Sequence, residues 1–284
     1  VGLGGYILWT AVAREVHRKT GRKVVLTNRV FGRLPWPRKV LDDEVFRHHP
    51  AVVTDPKEAA GPVVELRLDN RQANYWTRIT RDRILYKPGG HAIEMACAAY
   101  GVSRPEIRCE LHLTGPELVS GRRLLDELGP YVAIEPHTKD SFTVNKQYGF
   151  SRWQEAADGL RAAGLTLVQV GEGGKPLLEG VRDATGLPGI RETAAVLHHA
   201  DLLVAPEGGL MHLANAVGTR SVIVFGGYVS PELTGYAENV NLFTGLPCAP
   251  CGLRRSCLRG RRDCLERIPP GEVCREALAL LESP

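Results

Sequence analysis

Glu207, Gly208, Gly209 and His212 fall close together in the stretch APEGGLMHLANAVGTRSVIVFGG, residues 205–227. The pattern places a carboxylate, two glycines and an imidazole between two apolar runs. A helix that starts here leaves its first amides without internal partners, and those amides carry partial positive charge. The amides from Gly208 through Leu210 and Met211 therefore suit a phosphate or diphosphate. His212, in the first turn, can donate to the same anion. Glu207 has the wrong charge for a phosphate and suits sugar or ribose hydroxyls, or local amides. The same residues also read as a tight strand-to-helix turn with a solvated histidine, since glycine pairs are common in turns.

A second stretch, EPHTKDSFTVNKQYGFSRW (135–153), brings Thr138, Lys139 and Lys146 into a similar position, after one strand and before one helix. Either lysine can neutralise a diphosphate, or both are surface charges of a loop. A third group is made of thiols. Cys248, Cys251, Cys257 and Cys264 supply four ligands of the kind that tetrahedral zinc or iron takes. Their spacing is tighter than that of a common zinc ribbon, so reduced or locally linked thiols are the alternative. A metal held there is structural rather than catalytic.

The elements that must position these residues follow from periodicity. YVAIE (131–135), LTLVQVG (165–171), DLLVA (201–205) and SVIVFGG (221–227) read as buried strands. Helices are expected over 151–164, with Ser151 as cap and Gly164 as stop, over 191–200 and over 210–217. Alternating strands and helices imply a parallel sheet with right-handed crossovers, and ligands bind beyond the carboxyl ends of its strands. The N-terminal half repeats the theme: a Gly-rich opening and helix over 2–21, a strand over 23–27, a helix over 90–102. A further strand is expected to precede Val1 in the intact protein. The segments RVFGRLPWPRKV and NYWTRITRDRILYKPGG read as loops or irregular strands, and ELGP (127–130) as a linker. The last helix is expected over 270–284.

Composition narrows the class. The chain has 284 residues, 43% hydrophobic and 24% charged, enough for two domains with real cores. No apolar run reaches the roughly 18 residues that a membrane span needs, and no secretory signal is evident, so the cytoplasm is the expected location. A net charge of +4 fits an anionic substrate, a membrane surface or nucleic acid and selects none of them. No recognition motif for nucleic acid accompanies it. The seven cysteines, odd in number and crowded at one end, argue against a disulfide framework.

Five segments in order resemble glycosyltransferase family 9, the heptosyltransferase family. Residues 205–227 resemble its signature, with Glu207 at the acidic position, His212 at the histidine and Phe225-Gly226 closing the strand. NKQYGFSRWQEAADGLRAAGLTLVQVGE is similar to the family's Lys-x-Trp segment, with Lys146 at the lysine and Tyr148 at the tryptophan. GGHAIEMACAAYGV, GGYILWTAVAREV and CAPCGLRRSCLRGRRDCLERIPPGEV resemble its histidine-bearing helix, its N-terminal segment and its cysteine-bearing end. The resemblance implies an α/β GT-B fold of two Rossmann-like domains facing a cleft. Residues 1–129 would take the acceptor and 130–284 the nucleotide sugar.

The family implies inverting, metal-independent transfer of a sugar, ADP-heptose being the first expected donor, to a lipopolysaccharide core or another glycan. Lys146 and His212 would stabilise the leaving diphosphate, with Thr138, Lys139, Glu207, Gly208, Gly209, Leu210 and Met211 around the donor. Tyr6 stands where the family carries its Asp base. A tyrosine titrates near 10 and is a poor base at neutral pH unless shifted, so Glu94 and Asp69 are the other candidates. Two alternatives stand beside this reading. One is a GT-B transferase with a different donor and a protein or metabolite acceptor; the other is a non-catalytic nucleotide-sugar-binding subunit. Arg254, Arg255, Arg259, Arg261 and Arg262 either form a solvated face or contact an anionic lipid or a partner, which would place the protein at the periphery of the inner membrane. No nucleic acid partner is expected.

Overall fold

A computed structural model describes residues 2–27, 44–53, 57, 59–68, 71–125, 128–139 and 142–283. The segment RVFGRLPWPRKV and Asp69 lie outside the described residues. At the centre is a six-stranded, wholly parallel sheet. Its strands are β5 (Val132–Ile134), β6 (Leu167–Gly171), β7 (Arg182–Thr185), β8 (Leu202–Pro206), β9 (Ser221–Val224) and β10 (Val240–Leu242). They lie in the spatial order β10-β9-β8-β5-β6-β7.

Alternation along the strands serves two faces. Val132, Ile134, Leu202, Val204, Val222 and Val224 point into one apolar cluster. That cluster is covered by α4 (Phe150–Ala162) and α9 (Pro270–Glu282), which pack on each other. Helix α4 buries Trp153, Ala156, Ala157 and Leu160, the 3–4 spacing of one helix face. It starts from Gly149 without a side-chain cap, so Ser151 lies inside the helix rather than capping it. Ala133, Leu203, Ala205 and Ile223 point to the other face, which α5 (Ile190–His199) and α6 (Gly209–Val217) cover.

The second core runs on without a break into the N-terminal half. There α1 (Leu3–Thr20) packs on α6 and on α2 (Ala92–Ala98). Gly21, at φ 68°, ends α1 as its sequence position suggested. Helix α2 is shorter than expected and stops at Ala98. Strands β1 (Val24–Thr27) and β2 (Val64–Arg67) pair in parallel, and the segment read as irregular forms an antiparallel hairpin, β3 (Trp76–Ile79) with β4 (Ile84–Tyr86). Short helices α7 (Pro231–Thr234) and α8 (Asp263–Glu266) complete the elements that matter below.

Helix α3 (Gly115–Arg123) joins the halves. Thr114 caps it, and Glu117 reaches back to the Thr114 amide in a reciprocal capping box. The same carboxylate takes Arg191 of α5 in a two-pronged pair of 2.6 and 2.8 Å. Arg191 holds Glu117 down at about 2, well below the usual carboxylate range. Gly121 lets α3 approach α5: a Cβ there would sit 2.5 Å from the Ala195 Cβ and 2.9 Å from its carbonyl carbon. Gly121→Ala is therefore expected to destabilise the protein by about 1–3 kcal/mol, as overpacking does. Urea denaturation checks this, and an unchanged midpoint would show that the helices separate freely.

Candidate functional site

A cleft of about 1320 Å³ opens where the carboxyl ends of β5, β6 and β8 meet the start of α1. That is above the roughly 300–1,000 Å³ of ordinary small-ligand pockets. Two helices begin on its wall. Helix α6 starts from Gly208 and α1 from Gly2, neither with a side-chain cap. The first amides of both are thus left to whatever occupies the cleft. Neither Gly208 nor Gly209 adopts a left-handed backbone. Space is what α6 requires: a Cβ on Gly209 would lie 3.2 Å from the Leu3 side chain. The tightest point is Gly4, where a Cβ would come within 2.5 Å of His212 Cδ2 and 3.1 Å of Nε2.

Lys146, Thr138, Lys139, Glu207, Gly208, Gly209, Leu210 and His212 all line this one cleft. Lys146 sits on a short turn, Val144–Lys146, and its ammonium pairs with the Glu207 carboxylate. It also lies 4.9 Å over the Tyr228 ring and 5.8 Å from that of Phe142, a cation–π setting. His212 is buried, and Tyr236 contacts its Nδ1 at 2.6 Å. Burial, with His91 and Lys146 adding to it, drops His212 to about 3, so the ring is neutral. The Thr138 hydroxyl is buried without a hydrogen-bond partner.

Three expected residues stand elsewhere. Tyr6 is 3% exposed and packed in the core, not on the cleft wall. The Met211 side chain is fully buried beneath α6, so only its backbone fits the expected part. Glu94 is an exposed residue spent on capping α2 through the His91 amide. The structure therefore brings the residues expected to meet the donor together in one cleft and brings none of the described base candidates to them.

Sequence reasoning missed Glu135, Glu172 and Arg254, which also line the cleft. Glu135 ends β5. Burial, and then the neighbouring Glu172, push its carboxyl up to about 8. Its position one residue after a strand end was the available signal. Arg254 stacks 5.4 Å over Phe142.

The cysteine segment frames the same cleft. Thr143 and Asn145 donate to the Leu253 carbonyl, which fixes the turn that carries Lys146. On the other side Ile84 donates to Gly252 and Arg83 to the Cys251 carbonyl, so the hairpin is tied to the same loop. Cys251 and Cys264 both face Gly227: a Cβ on that glycine would lie 3.7 and 3.0 Å from their sulfurs. Cys264 is pushed up by burial and then by Cys251, Cys257 and Cys248, the mark of four neighbouring thiols. Among the described residues, however, the one group of three or more metal-ligand atoms within 4.8 Å is His49, Glu110 and His112. There the Ala51 amide donates to His49 Nδ1 at 3.2 Å. The neutral ring must then carry its proton on Nε2, which faces Glu110 at 3.0 Å, and has no lone pair there for a metal. Arg14 takes the other oxygen of Glu110 at 3.1 Å. This cluster is a hydrogen-bonded hub.

A neutral Glu135 in the folded protein has a sign that can be tested. The unfolded carboxyl ionises near its ordinary value of 4.5 and the folded one near 8, so its contribution is complete below the first and lost as pH rises through the second. Glu135→Gln should gain stability relative to the wild type between about pH 5 and about pH 8, by more than the 1.36 kcal/mol of a single pKa unit. Denaturant unfolding at the two pH values measures it; a constant difference would mean that Glu135 is ionised in the fold.

The comparisons with known proteins agree with this geometry. The model of glycosyltransferase family 9 (heptosyltransferase) matches residues 68–260. No match was found among curated protein sequences. A family 9 glycosyl transferase from Veillonella parvula superposes with a TM-score of 0.71 at 15% identity, covering 99% of this chain and 95% of that one. The E. coli heptosyltransferase WaaC with ADP gives 0.58 at 13%, covering 99% and 97%. The iron-containing dodecameric glycosyltransferase TibC from enterotoxigenic E. coli gives 0.70 at 17%, covering 99% of this chain and 73% of that one. These likenesses carry the fold, which is the α/β GT-B arrangement expected from the sequence. With the family model spanning well over half of the chain, from the hairpin into the cysteine segment, the chain belongs to glycosyltransferase family 9, the heptosyltransferase family.

Proposed function

We infer that this glycosyltransferase moves a heptose from ADP-heptose to an acceptor hydroxyl with inversion. The convergence of Lys146, His212 and the uncapped start of α6 on one cleft carries the reading. In it, the donor lies against the C-terminal sheet, with its diphosphate at the α6 amides, Lys146 and the His212 edge. Glu207 and the neutral Glu135 face sugar or ribose hydroxyls. Preorganised donors of this kind stabilise a leaving diphosphate as its charge develops. Solved relatives with ADP or ADP-D-β-D-heptose bound support the choice of donor. Lys146 exchanges Glu207 for the diphosphate when the donor arrives.

The acceptor comes from the α1 and hairpin side. Arg78, Arg81 and Arg83 of the hairpin and Arg255, Arg259 and Arg261 of the cysteine segment are exposed, and the Arg83–Leu253 bridge joins the two segments. Leu258, in the same cysteine segment, is 84% exposed. Their charge supports an anionic, lipid-linked glycan acceptor and peripheral contact with an anionic membrane surface. No helix among the described residues is long and apolar enough to cross a membrane. The four cysteines are proposed to hold one structural zinc or iron, with Cys248 and Cys257 closing on the pair already gathered at Gly227. The iron-containing relative TibC supports that proposal. No step of the transfer runs through this metal. The absence of Tyr6 from the cleft favours a second reading, binding of the nucleotide sugar without transfer.

Titration calorimetry with ADP-heptose, followed by turnover on a lipopolysaccharide core acceptor, separates the two. Binding with turnover is expected; binding alone would favour the second reading, and no binding would end the choice of donor. His212→Ala should weaken binding or rate about 10-fold or more, as the loss of a contact to a charged group does. Equal values would remove His212 from the site. Metal analysis of the purified chain should find one equivalent of zinc or iron, lost in Cys251→Ser. A metal-free wild type would refute the centre.

A further inference from the structure

Behind His212 a line of three polar groups runs from the interior to the cleft. The Tyr236 hydroxyl is 2.6 Å from His212 Nδ1 and 3.0 Å from the Cys109 sulfur. All three side chains are buried. Tyr236 lies just beyond the Gly235 that ends α7, and its ring stands nearly perpendicular to the imidazole, at 87°. Cys109 is held in turn by α6 itself, through its amide to Asn215 Oδ1 at 2.8 Å. The contact on Nδ1 turns the opposite edge of His212, Nε2 and Cδ2, toward Gly4 on the cleft wall.

The line has one favoured direction. A phenol hydroxyl is a strong donor, imidazole nitrogen a strong acceptor and thiol sulfur a weak one. The hydroxyl therefore donates to Nδ1, and its oxygen accepts from the Cys109 S–H. The neutral imidazole then carries its proton on Nε2, at the cleft. The reverse direction would spend the hydroxyl on sulfur and leave a lone pair facing the cleft.

We propose that Tyr236 is a positioning residue that fixes His212 as the Nε2–H tautomer, so that a nucleoside diphosphate meets an uncharged N–H donor there. The proposal rests on the donor reading above for what occupies the cleft, but the tautomer itself does not. The charged and titratable groups around the pair are His91 and Lys146 near the imidazole, and Cys109, Glu207 and Glu238 near the phenol. Lys146 already supplies a cation, and its repulsion works with burial to keep a second charge off His212. Donor affinity should then be flat with pH through the range where an ordinary histidine titrates, near 6.5.

Nitrogen-15 NMR of the imidazoles in the full chain tests the tautomer, and titration calorimetry with ADP tests its use. The wild type should show His212 protonated on Nε2 alone, and still neutral at about pH 5. In Tyr236→Phe the Nδ1–H form should appear, the ring should titrate at higher pH, and ADP should bind about 3- to 10-fold more weakly, the loss expected for one neutral hydrogen bond. Cys109→Ser, which keeps a hydroxyl donor behind Tyr236, should preserve the wild-type tautomer and affinity. A wild-type His212 protonated on Nδ1 overturns the proposal without any variant having to fold. So does a Tyr236→Phe protein whose tautomer and ADP affinity are both unchanged. If ADP fails to bind the wild type while His212 is the Nε2–H form, the donor reading fails and the tautomer assignment stands.

Discussion

Helix α1 can begin against His212 only because residue 4 has no side chain. That approach sets the cleft. It brings two uncapped helix starts to one wall, lets the apolar core run unbroken from the N-terminal half to the central sheet, and leaves His212 buried yet facing outward. A larger residue at position 4 would push α1 off α6 or turn the imidazole away. Either change would alter the electrostatics, because the partial positive charge at a helix start falls off within one turn. The rest of α1 is anchored to hold that contact. Arg14 binds the Arg108 and Glu106 carbonyls and the Glu110 carboxylate, and Thr10 accepts from the Glu110 amide. The same strand of chain reaches α6 through Cys109 and through Leu111, whose amide donates to the Ala216 carbonyl. One segment, 106–111, thus keeps the two helices in register.

The cysteine segment does a matching job on the opposite wall. Its carbonyls fix the turn that presents Lys146, and its backbone pairs with the hairpin from the N-terminal half. Lys146 is the residue most dependent on that support. Its ammonium is largely buried between Glu207 and the Tyr228 and Phe142 rings, and a buried cation is tolerated only where pairing offsets its desolvation. The ordered loop supplies that environment and keeps the charge beside the α6 amides. Position in the fold gives the cysteines a structural role whether or not the chemistry ever touches them.

Much of this was legible in the sequence, for a physical reason. Strands β5, β6, β8 and β9 are buried on both faces and read as apolar runs, and α4 through α6 and α9 carry 3–4 spacing. The donor-side residues could be placed because they stand at the ends of such elements. Strands β7 and β10 lie at the sheet edges, and the hairpin is half exposed, so none of them shows a clear apolar period. Strand β2 is only partly buried and was missed for the same reason. Helix α3 had a readable signal, the Thr-x-x-Glu capping box at Thr114 and Glu117, which its low apolar content obscured. Gly4 and Gly121 look like any helix glycine until the neighbouring helix is in place. Tyr236 could not be linked to His212 at all, because the two stand 24 residues apart and meet only through the folded chain.

The carboxylates of the cleft show why a tyrosine at position 6 matters. Tyr6, which the sequence resemblance aligns with the family's base, is packed in the core, and three of the carboxylates that line the cleft are already engaged, while Glu172 is exposed there. Glu207 holds Lys146, the Glu44 carboxylate accepts from the Ile190 amide at the start of α5, and Glu135 is kept protonated by burial and by Glu172. A group that is protonated at neutral pH cannot take a proton from an acceptor, and one that holds a buried ammonium does so only after that ammonium finds another partner. Proton removal by Glu207 would therefore depend on what a bound donor does to Lys146. A diphosphate that drew Lys146 away would leave Glu207 as an unpaired, buried carboxylate, which is the condition under which a carboxylate's proton affinity rises. The pairing seen across the cleft is in this sense the resting form of the site. Glu207 is also the acidic residue of the segment that resembles the family's signature.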